Sequence, residues 1–173
     1  MQENETTQKL GKGFGYIAWI LALAALTYFF TGVLERKEYP NQQLDTNQTN
    51  SYQEVILKDN QNNHYVFTGK INQVQVTFLV DTGATDVALS ESLANKLNLV
   101  KGRSGIATTA NGNTRVYHTN INELKIGEIT LHNVDASIVT GMAADDSVLL
   151  GMSALKNLEM THRNGELTLR QYY

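Results

Sequence analysis

The sequence predicts a mainly-β domain preceded by one transmembrane helix. Residues 14–34 are uncharged and mostly apolar, residues 54–173 carry short apolar runs with a period near two, and Asn-Gly pairs punctuate those runs. The chain has 173 residues, room for one modest domain with appendages.

The segment Phe14–Leu34 includes Ile17, Trp19, Ile20, Leu21, Leu23, Leu26, Phe29, Phe30 and Val33. A helix needs about 20 such residues to cross the hydrocarbon core. Aromatics lie near both ends, as at a membrane interface, and no polar face exists for a soluble helix to show to water. A cleaved signal peptide ending near Ala22-Leu23-Ala24 also fits the pattern, but the apolar run continues to Leu34. Lys9 and Lys12 precede the segment, while Arg36 and Lys37 follow it, so basic residues do not decide orientation. Gly11 and Gly15, spaced for helix pairing, are read as small residues without that role, Gly11 falling outside the membrane.

A short tail (1–13) precedes the span and a flexible linker (35–53) is expected after it. The linker is rich in Asn, Gln and Thr and holds the single proline, Pro40. Such a coil would span roughly 25 Å.

Residues 54–173 form the expected β domain. Val55–Lys58 is a short apolar run closed by the polar turn Asp59–Asn63. Phe67, Ile71, Val74, Val76, Phe78 and Val80 continue with strand alternation, and Leu124, Ile126, Ile129, Leu131 and Val134 supply further strands. Asn111-Gly112 and Asn164-Gly165 predict tight hairpins. Two short helical stretches are expected: Glu91–Leu97 capped by Ser90, and a turn at Ser153–Asn157.

Composition excludes several chemistries. The absence of cysteine removes disulfides, thiolate nucleophiles and cysteine zinc sites. The four histidines show no ligand spacing, so neither a metal nor a cofactor is expected. A net charge of -3 without a basic stripe argues against a nucleic-acid partner. No G-x-S-x-G elbow surrounds Ser90, Ser92 or Ser153, which disfavours a serine hydrolase.

The chemistry-bearing stretch is Phe78-Leu79-Val80-Asp81-Thr82-Gly83-Ala84-Thr85, a carboxylate placed after an apolar strand and before a Thr-Gly turn. Glycine allows a sharp turn and close approach of a ligand. About 70 residues later, Val148-Leu149-Leu150-Gly151-Met152 is a second apolar run ending in glycine. Together, Phe78–Ser90 and Leu149–Leu155 resemble the retropepsin-like (clan AA) aspartic peptidases, especially their bacterial membrane-anchored branch. The resemblance covers roughly residues 64–171. A short echo between Lys70–Asp81 and Lys125–Val134 fits the internal pseudo-twofold of that family. Where the retroviral enzymes often carry Gly-Arg, this chain has Gly151-Met152, which removes a charged contact.

The resemblance implies an acid-protease β-barrel subunit and an aspartic endopeptidase with catalytic Asp81, supported by Thr82, Gly83 and Ala84. Two carboxyls must share one proton in this chemistry. The chain has no second Asp-Thr-Gly: Asp135 and Asp145-Asp146 lack the turn glycine. The expected partner is therefore a second copy, in a homodimer that brings two Asp81 side chains together. The substrate would be a protein or peptide. The hairpin with Thr109, Ala110, Asn111 and Gly112 would be a flap over it, or else an ordinary surface hairpin; Asp86 would line the groove, or else cap the loop. Expected localisation is single-pass in a bacterial inner membrane, with the protease domain in the periplasm. A catalytically inactive peptide-binding or adaptor module on the same fold is the alternative.

Overall fold

The computed structural model describes residues 3–109, 112–144 and 147–173, with side chains from residue 16 onward other than those of 35 and 36. The chain divides into two units, Met1–Glu38 and Tyr39–Tyr173.

The first unit is one helix, α1 (Glu3–Glu38). Its stretch Tyr16–Leu34 is long and apolar enough to cross a membrane, and none of it is buried within the protein. The hydroxyls of Thr27 and Thr31 donate to the carbonyls of Leu23 and Thr27, each at 2.8 Å. Polar groups satisfied inside the helix in this way are compatible with an apolar surround.

The second unit is mainly β, as expected. Its elements in order are β1 (Asp45–Gln48), β2 (Tyr52–Lys58), β3 (Val66–Ile71), β4 (Val74–Val80), β5 (Val87–Ser90), α2 (Glu91–Lys96), β6 (Ser104–Thr109), β7 (Gly112–Ile126), β8 (Ile129–Val139), β9 (Ser147–Leu150), α3 (Met152–Leu155), β10 (Glu159–Arg163) and β11 (Glu166–Tyr172). One sheet runs β3-β4-β9-β5-β8-β7-β6, and an added β3–β7 pairing joins strands from its two sides, so six of its strands close into a ring. At this closure the Lys125 carbonyl stands only 2.5 Å from where a Cβ of residue 69 would lie, so Gly69 lets the strands meet. Inward-facing residues of alternating strands fill the ring, among them Phe67, Ile71, Phe78, Leu89, Leu124, Ile126, Ile138 and Leu150, with Phe67 stacked on Phe78.

The internal echo corresponds to a repeated topology. The hairpin β3–β4 leads through a loop to β5 and α2; the hairpin β7–β8 leads through a loop to β9 and α3. The copies interlock: β4 pairs parallel with β9, and β8 pairs parallel with β5.

A second sheet, ordered β1-β2-β11-β10, takes the chain end as a strand through Tyr172. Arg170 faces Glu54 on one neighbouring strand and Glu159 on the other. Its guanidinium donates to Glu54 at 2.8 Å and lies over the Tyr52 ring at 4.4 Å. Hydrogen bonding to Tyr172, then to Glu54, holds Arg170 above its ordinary pKa.

The turn signals hold at Asn164-Gly165, where both residues have positive φ and Arg163 faces Glu166. Asn111 and Ala110 lie outside the described residues; Gly112 has φ +101° and faces Thr109. The β3–β4 turn is Asn72-Gln73, both with positive φ. Asn72 exchanges hydrogen bonds with Glu123: its N–H donates to the Glu123 carbonyl and its Oδ1 accepts the Glu123 N–H. A side chain that bonds locally offsets the cost of this left-handed turn.

The structure differs from the expected flexible linker over 35–53. Helix α1 runs to Glu38, and β1 pairs with β2. Asn41 is only 4% exposed. Its Nδ2 donates to the carbonyls of Lys58 (2.8 Å) and Val66 (2.9 Å), and its Oδ1 accepts the Lys58 N–H at 2.7 Å. One amide side chain thus satisfies backbone groups where β2 and β3 diverge, which a polar composition conceals. Replacing Asn41 by Ala leaves these buried groups unpaired. Urea unfolding of the detergent-solubilised chain should show a loss of about 2–3 kcal/mol.

Candidate active site

Asp81 follows β4 directly and opens the loop to β5. Between β4 and β5 lies β9, paired with both, so the loop must pass over the end of an intervening strand. The Asp81 N–H donates to the Leu150 carbonyl at 3.1 Å, which continues the β4–β9 ladder to the loop's first residue. Within the loop, the Gly83 N–H donates to Asp81 Oδ1 at 2.9 Å and the Ala84 N–H to the Asp81 carbonyl at 3.3 Å. These contacts orient the carboxylate from its own turn. Asp81 is half-buried, while Thr82 and Gly83 are exposed beside it.

The far half of the loop is held by the corner between β9 and α3. The N–H groups of Met152 and Ser153 donate to the carbonyls of Ala84 and Thr85, each at 2.8 Å. Such an approach needs a bare backbone at the corner: a Cβ on Gly151 would fall 2.2 Å from the Asp86 carbonyl oxygen and 2.8 Å from that of Ala84. Ser153 completes the lock. Its hydroxyl donates to the Asp135 carbonyl at 2.7 Å and accepts the Val87 N–H at 2.9 Å. The side chain is thereby committed to structure, as is Ser90, whose hydroxyl accepts the Leu93 N–H as the α2 cap.

Asp86 is partly buried, and its Oδ2 accepts the Ser137 hydroxyl at 2.8 Å. His118 Nδ1, on β7, lies 3.9 Å from the same oxygen. The hairpin β6–β7 therefore meets the loop at its base. Nearby, Lys101 lies over the Tyr117 ring and donates to Glu91 Oε1 at 2.9 Å, which lowers the Glu91 pKa. At the hairpin tip, the Thr109 hydroxyl donates to the Gly112 carbonyl at 2.9 Å and that of Thr108 to Asn113 at 3.0 Å. The Asn-Gly turn signal marked the hairpin, and the family resemblance marked Asp86. It did not mark Ser137 or His118, because single polar residues within strands carry no local signal. Asp135 is exposed on β8, and Asp145-Asp146 lies outside the described residues.

An open cavity of about 710 Å³ adjoins the loop at Val80 and Thr82, with Asp59, Tyr65, Met160 and His162 among its other walls. Burial, and then the charge of Asp59, raises the pKa of the Tyr65 hydroxyl.

A carboxylate on an Asp-Thr-Gly turn, braced by a glycine corner from the second half of an internally repeated β ring, defines a retropepsin-like subunit of clan AA. The chain belongs to the family described as gag-polyprotein putative aspartyl protease, which matches residues 67–157. It is similar to a retropepsin-like aspartic protease from Rickettsia conorii: 26% identity, covering 75% of this chain and 95% of that one, TM-score 0.56. A Sinorhizobium protein described as an uncharacterized protein in the cobV 5′ region is 31% identical over 180 residues, covering 96% of this chain and 77% of that protein. An uncharacterized protein of Rickettsia prowazekii (strain Madrid E) is 29% identical over 122 residues, covering 69% of this chain and 52% of that one.

Gly151→Ala should cost more than about 4 kcal/mol, since the clash is with backbone and has no flexible side chain to relieve it. Ser153→Ala strips the Val87 N–H of its acceptor and should cost about 1–3 kcal/mol. Thermal denaturation of the detergent-solubilised chain measures both.

Proposed function

We propose that this chain is an aspartic endopeptidase whose active site is completed by a homodimer, with two Asp81 carboxyls meeting across the two-fold axis. The observation that carries the proposal is a single braced Asp-Thr-Gly loop in a chain whose fold is internally repeated. The corresponding connection in the other half, Thr140 to Asp146, has no Asp-Thr-Gly. Two-fold symmetry supplies the missing carboxyl by placing the same loop on both sides of one axis.

In the pair, like charges a few ångström apart disfavour double ionisation, so one proton is shared. The ionised carboxylate takes a proton from a water held between them as its oxygen attacks the scissile carbonyl carbon. The protonated carboxyl donates to the carbonyl oxygen, giving a tetrahedral diol. Collapse of the diol breaks the C–N bond, and the leaving amine takes up a proton from the pair. The two groups titrate as one unit.

Thr82 would bond across the axis, while Gly83 and Ala84 present backbone to an extended peptide. The hairpin bearing Thr109, Ala110, Asn111 and Gly112 closes as a flap and excludes water. Asp86, fixed by Ser137, forms part of the groove wall. Residues 14–34 span a bacterial inner membrane and the protease domain lies in the periplasm. That domain comprises 54–173 together with the ordered segment that joins it to α1. The length and apolarity of α1 support the span, and the bacterial relatives support a bacterial membrane.

Asp81→Asn in the full-length chain should lower kcat/KM on a mixed peptide library by at least about 10³-fold while leaving thermal stability and dimer mass unchanged. In dilute solution, wild-type activity should rise with the square of protein concentration. Its kcat/KM should follow a bell-shaped pH profile. Undiminished cleavage by Asp81→Asn would exclude catalysis by this residue and leave an adaptor role on the same fold.

A further inference from the structure

The chain passes from its apolar helix into its folded domain over a very short path. The membrane-length segment ends at Leu34, and α1 continues to Glu38. Asn41 already belongs to the domain, buried, bridged to Phe67 and bonded to Lys58 and Val66. Four helical residues advance about 6 Å. Three more, fully extended, add at most about 11 Å. The covalent reach from the hydrocarbon edge to the first fixed residue of the domain is therefore about 17 Å. Crossing the headgroup layer uses about 5–8 Å of that. A 135-residue domain, Tyr39–Tyr173, has a radius of gyration near 14 Å and hence a diameter of about 35 Å. The free tether is shorter than the domain's own radius, and lengthening it would require pulling Asn41 from its buried bonds.

Symmetry adds a second constraint. Two copies related by a two-fold axis, both anchored in one bilayer with the same orientation, keep that axis along the membrane normal. An extended peptide lying across the axis at the two Asp81 side chains then runs parallel to the membrane plane.

Resting on the peptidase and membrane-anchor reading above, we infer that the substrates are membrane-anchored polypeptides cleaved in an extended segment within one domain diameter of the bilayer surface. Confining enzyme and substrate to this layer raises their effective concentration without any added contact.

The test uses the full-length chain in liposomes and a peptide sequence found to be cleaved in the library. That sequence is placed in reporters with their own membrane span, either about ten residues from the span or beyond a stiff helical spacer of about 60 Å. It is also offered as a soluble peptide. The near reporter should be cut at least ten-fold faster than the far one. A 30-residue Gly-Ser insertion between Glu38 and Tyr39 should bring the two rates together while leaving soluble-peptide cleavage unchanged. Equal rates on near and far reporters with the unmodified chain would overturn the inference while leaving the peptidase reading intact. Release of the chain from the vesicles would overturn it as well. Failure to cut every substrate, the soluble peptide included, would refute the peptidase reading and this inference with it.

Discussion

The molecule depends on one close backbone approach. The Asp81–Asp86 loop takes its position from the corner at Gly151, whose lack of a side chain admits the carbonyls of Ala84 and Asp86. That contact lets the two following N–H groups, of Met152 and Ser153, reach the loop and fix its far half. A catalytic carboxylate must be held within a fraction of an ångström of its working position. Short backbone bonds between rigid elements achieve this better than long side chains could.

The internal repeat explains how such a corner arises. Because β9 lies between β4 and β5, the loop from the first half is obliged to cross the strand of the second. The parallel pairs β4–β9 and β5–β8 interlock the halves, so neither ring segment is complete alone. The corresponding connection in the second half has no Asp-Thr-Gly, and among the described residues the Asp81 loop alone presents a carboxylate on such a turn. Internal symmetry thus shapes the barrel, while in the proposed homodimer chemical completion falls to symmetry between chains. The second sheet keeps the ends of the domain together through the Glu54–Arg170–Glu159 ladder.

Much of this was legible in the sequence because it is local. Alternation marked β3, β4, β7 and β8, Ser90 marked the start of α2, and Asn164-Gly165 marked the last hairpin. Phe78–Ala84 marked the candidate site, through an apolar strand that runs into an Asp-Thr-Gly-Ala turn and its resemblance to retropepsin-like loops. What escaped was long-range. Asn41 looks like linker until its amide is seen joining β2 to β3 across the fold. Asn72-Gln73 carries no glycine, so its left-handed turn is visible only with the Glu123 backbone that stabilises it. Ser137 and His118 gain meaning only from strand register, which places them on one side of Asp86.

The order of synthesis gives the Gly151 corner a further consequence. Asp81 leaves the ribosome about 70 residues before the corner that braces it, and β2 well before its partner β11. Contacts this distant in sequence close late, after the intervening chain is available. The nascent polypeptide therefore carries Asp81 in an unbraced turn until translation is almost finished. On the peptidase reading proposed above, an enzyme that cuts extended chains would thus be kept dormant while it is itself an extended chain, and a truncated product lacking the last 25 or so residues would remain inert.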